Sequence, residues 1–407
     1  MAGSIQGDTT SVVSGGQQQT QIFAFLAMTC LFFFWGFITV LNDILIPFLK
    51  ESFDLNYTQA MLVQFCFFLA YFIISPFAGK LIDGIGYQNG IVFGLITMAV
   101  GCVLFYPSAE LHIYALFLLA LFVLASGITI LQVAANPYVA ALGPEKTAAS
   151  RLNLAQAANS LGTTIGPIIG AALILGVATA DASAVQGPYL VLAVILLAAA
   201  LIFKFIQLPV IASVESGQAE TDDNVWDRRP LILGALAIFL YVGAEVSIGS
   251  FLVNYFAESS IAGLSHEDAG EMVAYYWGAA MIGRLVGAAA MNYVAPTKYL
   301  WLNAVIAIAM IFTSINSTGS VAMWSILAVG FFNSIMFPTI FTLAVKGLGP
   351  LTSKGSGLVC QAIIGGALIP LVQGVAADNV GIQMSFFVPM LCYIYIGWYA
   401  LKGAQQS

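Results

Sequence analysis

Gly79-Lys80-Leu81-Ile82-Asp83-Gly84-Ile85-Gly86-Tyr87 begins in the tail of one long apolar run, 58–82, and ends where the next, 88–107, starts. Each run has the length of a bilayer span, which takes about 20 mainly apolar residues. The glycines between them allow a tight turn and a close helix approach. Asp83 can accept bonds from a neighbouring helix end. Ten further runs share this form: 22–49, 111–142, 151–177, 187–208, 230–257, 270–294, 298–316, 320–346, 353–377 and 380–402. Lipid offers the backbone no water, so such runs are helices or strands of a closed barrel. Barrel strands alternate apolar and polar residues over about 10 positions, and these runs are longer and uniformly apolar. The expected fold is an all-α membrane protein with twelve transmembrane helices.

Composition agrees. Of 407 residues, 60% are hydrophobic and 8% charged, with mean hydropathy +0.95. A soluble chain carries roughly 25% charged residues. The net charge of −7 owes much to Glu215, Glu220, Asp222, Asp223 and Asp227, which share one hydrophilic stretch and read as a solvated loop. No basic cluster points to nucleic acid. Cys30, Cys66, Cys102, Cys360 and Cys392 lie in apolar runs without disulfide or metal spacing and read as small packing residues. The first 21 residues contain no Lys or Arg, so they lack a signal peptide's basic region and the first run is expected to be a true span. No nucleophile–base set, phosphate loop or metal cluster suggests an enzyme or a cofactor.

With the N-terminus placed inside, Lys80, Lys146, Arg151, Lys204, Arg228, Arg229, Arg284, Lys298, Lys346, Lys354 and Lys402 fall at inner ends, and only Lys50 falls outside. This asymmetry follows the positive-inside rule and predicts that both termini are cytoplasmic. The longest hydrophilic break predicts a division into a tail 1–21, a six-helix bundle 22–208, a linker 209–229, a second bundle 230–402 and a tail 403–407. The two bundles resemble each other. Tyr71 with Gly79-Lys80-Leu81 matches Tyr275 with Gly283-Arg284-Leu285. Pro137 matches Pro338, Gly143-Pro144 matches Gly349-Pro350, and Gln156 matches Gln361. Parallel repeats of this kind build transporters whose halves rock about a central site.

Polar residues inside the spans are the candidates for that site. Asp43 and Glu245 lie deep in the first span of each half. A carboxylate there costs about 2.5–3.5 kcal/mol on insertion scales. It can bind a proton, a sugar hydroxyl or sodium. The alternative is a carboxylate that reaches the aqueous interface. Gln132 and Asn136 are spaced i, i+4, and Asn153, Gln156 and Asn159 step by three, so each set can line one helix face. Buried amides need partners, which sugar hydroxyls or neighbouring helices can supply. Pro137 frees the carbonyl of Val133, and Pro338 that of Ser334. Trp35, Tyr71 and Trp277 offer rings on which a sugar can stack. His112 and His266 are expected in outer loops, and Arg284 is expected to make an inter-helix or lipid-headgroup contact.

The Gly79–Asp83 segment resembles the G-x-L-x-D loop signature of the major facilitator superfamily, although Gln88 and Asn89 stand where basic residues are usual. Longer strings resemble the fucose–galactose–glucose:proton symporter group within it. These are Phe34-Trp35-Gly36-Phe37, Leu41-Asn42-Asp43-Ile44-Leu45-Ile46-Pro47, Gln132-Val133-Ala134-Ala135-Asn136-Pro137-Tyr138-Val139, Ser150-Arg151-Leu152-Asn153-Leu154-Ala155-Gln156, Tyr241-Val242-Gly243-Ala244-Glu245-Val246-Ser247 and Ile335-Met336-Phe337-Pro338-Thr339-Ile340-Phe341. The resemblance spans nearly the whole chain and lies nearest the bacterial glucose/galactose branch. It implies two pseudo-symmetric bundles, a bacterial inner-membrane location, and inward transport of a monosaccharide with a coupling cation, H+ or Na+. In the fucose branch the position of Asp43 is an acidic residue implicated in proton coupling. The position of Gln132 is a glutamate there, that of Glu245 an amide, and Gln156 matches a sugar-binding glutamine. The expected coupling residues are Asp43 and Glu245. The expected substrate residues are Asn42, Gln132, Asn136, Gln156, Asn159 and Gln361. N-acetylglucosamine or another hexose, and sodium-coupled or uncoupled transport, are the alternatives.

Overall fold

The computed structural model describes residues 21–55, 59, 62–170, 185–206, 208–209 and 224–405. Among these residues the chain forms twelve membrane-scale helices. In the first half they are α1 (Ile22–Ser52), α2 (Leu62–Ile85), α3 (Tyr87–Glu110), α4 (Tyr114–Ala141), α5 (Ala148–Gly170) and α6 (Gln186–Phe205). In the second half they are α7 (Arg229–Ala257), α8 (His266–Ala290), α9 (Pro296–Asn316), α10 (Gly319–Val345), α11 (Gly349–Val380) and α12 (Ile382–Gly403). Helix ends lie within a few residues of the hydropathy boundaries, save the end of α5, expected at 177, which falls outside the described residues along with 210–223 of the expected linker.

Local chemistry explains several boundaries. Gly86 (φ 80) turns the chain between α2 and α3, a conformation that suits glycine best. Ser265 caps α8 by accepting a bond from the Asp268 amide at 3.1 Å. α9 opens with Pro296, where the missing N–H costs nothing. α10 breaks between Asn333 and Met336, just where Pro338 removes the bond to Ser334. The residues Asp83–Ile85, expected beyond the span end at 82, continue α2, and the turn itself is confined to Gly86.

The contacts show the two halves. In the first, α1 packs on α5, α3 on α4 and α6, and α2 on α4. In the second, α7 packs on α11, α9 on α10 and α12, and α8 on α10. Each pairing maps onto its counterpart by a shift of six helices. One close crossing in each half depends on a missing side chain. A Cβ on Gly162 would overlap the Phe33 carbonyl, and one on Gly365 would overlap that of Phe239. These α1–α5 and α7–α11 crossings hold the interior of each half together.

The halves meet through α2 against α11 and α5 against α8. Among the described residues ten helices are long and apolar enough to span by themselves. The seam takes up polar groups of α5 and α8, among them Ser150, Asn153 and Arg284. The register of the α2–α8 repeat differs from the sequence match. Tyr71 is 3% exposed but Tyr275 is 58% exposed, and the buried tyrosine of α8 is Tyr276. Gly79 abuts Ser353 of the other half, whereas Gly283 abuts Phe331 of its own. A string comparison aligns residue types, and one residue of slip turns a helix by about 100°.

Candidate functional site at the seam

The seam carries a ladder of polar contacts. Near the end where the chain begins and finishes, Lys346 pairs with Glu145 at 3.1 Å and Lys354 with Asp83 at 3.4 Å. Both pairs are open to solvent and contribute little energy. Deeper, the Tyr87 and Ser353 hydroxyls lie 2.9 Å apart, and Ser150 Oγ donates to the Ala288 carbonyl at 2.6 Å. Asn153 Nδ2 reaches Thr339 Oγ1 at 3.3 Å. At the level of Gln361, its Nε2 donates to the Phe72 carbonyl at 3.1 Å. Backbones approach as closely: a Cβ on Gly79 would stand 2.8 Å from Ser353 O, and one on Gly357 would stand 2.7 Å from Ser75 O. These contacts lie at mid-height or toward the termini, so the halves are closed at that end. Below them a hollow of about 1100 Å³ opens toward the termini, lined among others by Pro137, Lys146, Met291, Thr342 and Lys346.

The carbonyls freed by Pro137 and Pro338 are both captured. Val133 O, opposite Pro137, accepts from Ser356 Oγ of the other half at 2.9 Å. Ser334 O, opposite Pro338, accepts from Arg284 Nε at 3.2 Å. A buried carbonyl without a partner is costly, so each proline places an acceptor where a neighbouring helix can grip it.

A charged cluster sits at mid-height. Glu245, midway along α7, lies 3.7 Å from Arg284 of α8, and their side chains are 14% and 12% exposed. Tyr241 donates its hydroxyl to Glu245 Oε1 at 2.8 Å. Arg284 also donates across the seam to Ser160 Oγ and, at 3.4 Å, to the Gln156 carbonyl. Glu245 is therefore paired with a charge from the neighbouring helix. Arg284 was expected near an inner helix end in an inter-helix or lipid-headgroup contact; it makes the inter-helix contact, at mid-height, and joins both halves to the half-buried acid. The signal was present in principle, because a charge inside a span needs a partner.

The other expected site residues divide. The side chains of Asn42 and Asp43 lie outside the described ones, although their backbone belongs to α1. Gln132 is 3% exposed, and its Oε1 has no partner among the described residues. Asn136 is fully buried with both amide atoms likewise unpartnered. Asn153 keeps an unpartnered Oδ1 beside its bond to Thr339. Asn159 takes a neighbouring helix as one partner: its Nδ2 donates to the Phe32 carbonyl of α1 at 3.1 Å. On α5 Gln156 is 5% exposed, and on α11 Gln361 reaches the Phe72 carbonyl across the seam. Of the three candidate stacking rings Trp35 and Tyr71 are buried and Trp277 is 40% exposed. His112 stacks on Phe53 in the α3–α4 turn. His266 begins α8, and its side chain lies outside those described.

Comparison with known proteins places this geometry in context. The pattern of the Major Facilitator Superfamily matches residues 24–359. The glucose/galactose transporter of Brucella abortus is 54% identical over 412 residues, covering 100% of both chains. The L-fucose-proton symporter of Escherichia coli is 35% identical, covering 96% of this chain and 95% of its own. A crystal structure of the transporter FucP in the outward conformation superposes with a TM-score of 0.86 at 34% identity, covering 95% of this chain and 99% of that one.

Proposed function

The chain belongs to the Major Facilitator Superfamily and, within it, to the fucose–galactose–glucose:proton symporter family, and we propose that it carries glucose and galactose into the cell with a proton. It is a multi-pass membrane transporter and not an enzyme. The observation that carries the reading is the full-length 54% identity to a glucose/galactose transporter. The two-half architecture, closed at one end over a charged and amide-lined centre, supports alternating access. In the cycle, sugar and proton enter from the end opposite the termini. The halves then rock, the seam of α2–α11 and α5–α8 parts, and both are released on the terminal side. The decisive experiment is uptake into proteoliposomes of labelled sugars under an imposed proton or sodium gradient. Glucose and galactose accumulation driven by the proton gradient is expected. Accumulation driven by sodium alone, or of neither sugar, overturns the assignment.

The sugar contacts in this reading come from Asn42, Gln132, Asn136, Gln156, Asn159 and Gln361, with Asp43 and Glu245 as the coupling carboxylates. Several have capacity to spare. Gln132 Oε1 and both Asn136 amide atoms lack partners among the described residues. Asn159 contributes its remaining oxygen at most, because its nitrogen holds Phe32. Gln156→Ala and Gln361→Ala should each weaken sugar binding by roughly 1–3 kcal/mol, the cost of leaving a buried group unpaired. Calorimetric titration of the purified variants reads this, and unchanged affinity in both demotes them to helix packing.

The membrane in this reading is a bacterial inner membrane with both termini cytoplasmic. The distribution of Lys and Arg supports that orientation. Reporter fusions at Ser216 and Gln405 should be active only with a cytoplasmic reporter. A periplasmic signal at Ser216 breaks the six-plus-six arrangement.

A further inference from the structure

Arg284 is bonded to both halves of the molecule at once. On its own half it has Ser334 O at 3.2 Å and Glu245 at 3.7 Å. On the other half it has Ser160 Oγ and the Gln156 carbonyl. A guanidinium stays charged under all physiological conditions, and a charge removed from water needs partners in every state the protein visits. The alternating-access reading, on which this inference rests, requires the seam to part at the end where it is now closed. Parting takes away Ser160 and Gln156. It leaves Ser334 O and Glu245.

The present geometry fits such an exchange. At 3.7 Å the Arg284–Glu245 contact is beyond hydrogen-bond length yet within ion-pair reach. Glu245 Oε1 is meanwhile held by Tyr241. The carboxylate is thus a nearby partner that Arg284 does not yet grip. Ser334 O gives a fixed pivot, because Pro338 leaves it without its helical donor. A side chain anchored through Nε can swing its two terminal nitrogens from α5 to α7 without leaving the pivot.

We propose that Arg284 is a positioning residue that exchanges partners across the cycle, holding Ser160 and the Gln156 carbonyl while the terminal end is closed and Glu245 when that end is open. Ser160 and Glu245 then pull the same guanidinium toward opposite states. Loss of Ser160 favours opening of the terminal end. Loss of the Glu245 charge favours closure, since the open state loses the charge partner that replaces α5.

The test reads the seam directly and needs no sugar. In a full-length chain freed of its five native cysteines, Ala288→Cys places a thiol at a seam position that is 5% exposed when the end is closed. Its rate of modification by a membrane-impermeant maleimide, applied from the terminal side, reports opening. Added Ser160→Ala should raise the rate about threefold to tenfold, the effect of one lost hydrogen bond. Added Glu245→Gln should lower it about tenfold, within the usual range of coupling between sites. Added Arg284→Gln should abolish the response to both substitutions. Rates that move in the same direction for Ser160→Ala and Glu245→Gln, or that do not move, overturn the exchange. Thermal melting of each variant checks folding, and the opposite signs of the two milder substitutions decide the matter even where Arg284→Gln fails to fold. Failure of the sugar assignment would show in uptake and leave this labelling pattern untouched.

Discussion

Asp43→Asn should abolish concentration of sugar against a gradient and leave exchange of sugar for sugar across the membrane intact. That result is expected on the reading that Asp43 is the coupling group: an ionised, empty carboxylate resists occlusion, because closing a cavity strips its water and a charge at the centre of a span costs about 2.5–3.5 kcal/mol on insertion scales. A bound proton removes that penalty, so only the loaded carrier turns over. The amide imitates the protonated form permanently. It lets the loaded carrier cross in both directions and leaves no proton to drive accumulation. Counterflow and gradient-driven uptake measured in the same vesicles separate the two. Glu245→Gln should reduce counterflow as well, since it removes the partner Arg284 takes when the seam opens. If Asp43→Asn still concentrates sugar as the unmodified protein does, Asp43 is not the coupling group and the role passes to Glu245.

The second large effect contrasts two glycines on α11. Gly365 lies against the Phe239 carbonyl inside the second half, and an added Cβ there overlaps the backbone. The α7–α11 crossing belongs to one rigid half, so no state of the cycle relieves the clash. Gly365→Val should cost about 3 kcal/mol or more, and little folded protein should be recovered. Gly357 lies in the same helix but at the seam, where a Cβ would stand 2.7 Å from Ser75 O of the first half. Separating the halves relieves this one. Gly357→Val should fold, melt close to the unmodified protein and stay open at the terminal end. A few kcal/mol against the closed state shifts that equilibrium by roughly a hundredfold or more. Transport should then fall steeply while a seam cysteine labels fast. Equal loss of folded protein in both variants would mean that the halves do not move as separate bodies.

The contrast between Gly357 and Gly365 was not legible in the sequence, although both glycines were. Neither string similarity nor hydropathy tells a glycine that fixes a half from one that lets two halves meet. The same holds for the amides. A step of three puts Gln156 and Asn159 on one face of α5, yet Asn159 bonds to Phe32 in its own half while the Gln156 backbone receives Arg284 from the other. Helical spacing selects a face, and the face of α5 that carries these residues meets α1 on one side and α8 on the other.

Reading along the chain was enough to place the twelve spans, to group them into two similar sets of six, and to find the carboxylates Asp43 and Glu245 inside apolar runs and the prolines Pro137 and Pro338, each of which frees a carbonyl. Those features are local: they depend on apolar length, on charge inside an apolar run, and on a ring that removes one N–H. What each polar group meets was settled only by the packing of the helices. Packing paired Glu245 of α7 with Arg284 of α8. It gave Val133 O to Ser356 and Ser334 O to Arg284. It also set α5 against α8, so that Ser160 and the Gln156 carbonyl meet Arg284. A polar side chain in a membrane bundle is stabilised by its partner across a helix crossing. That partner is chosen by how the helices rotate and cross in three dimensions, and no spacing along one chain encodes it.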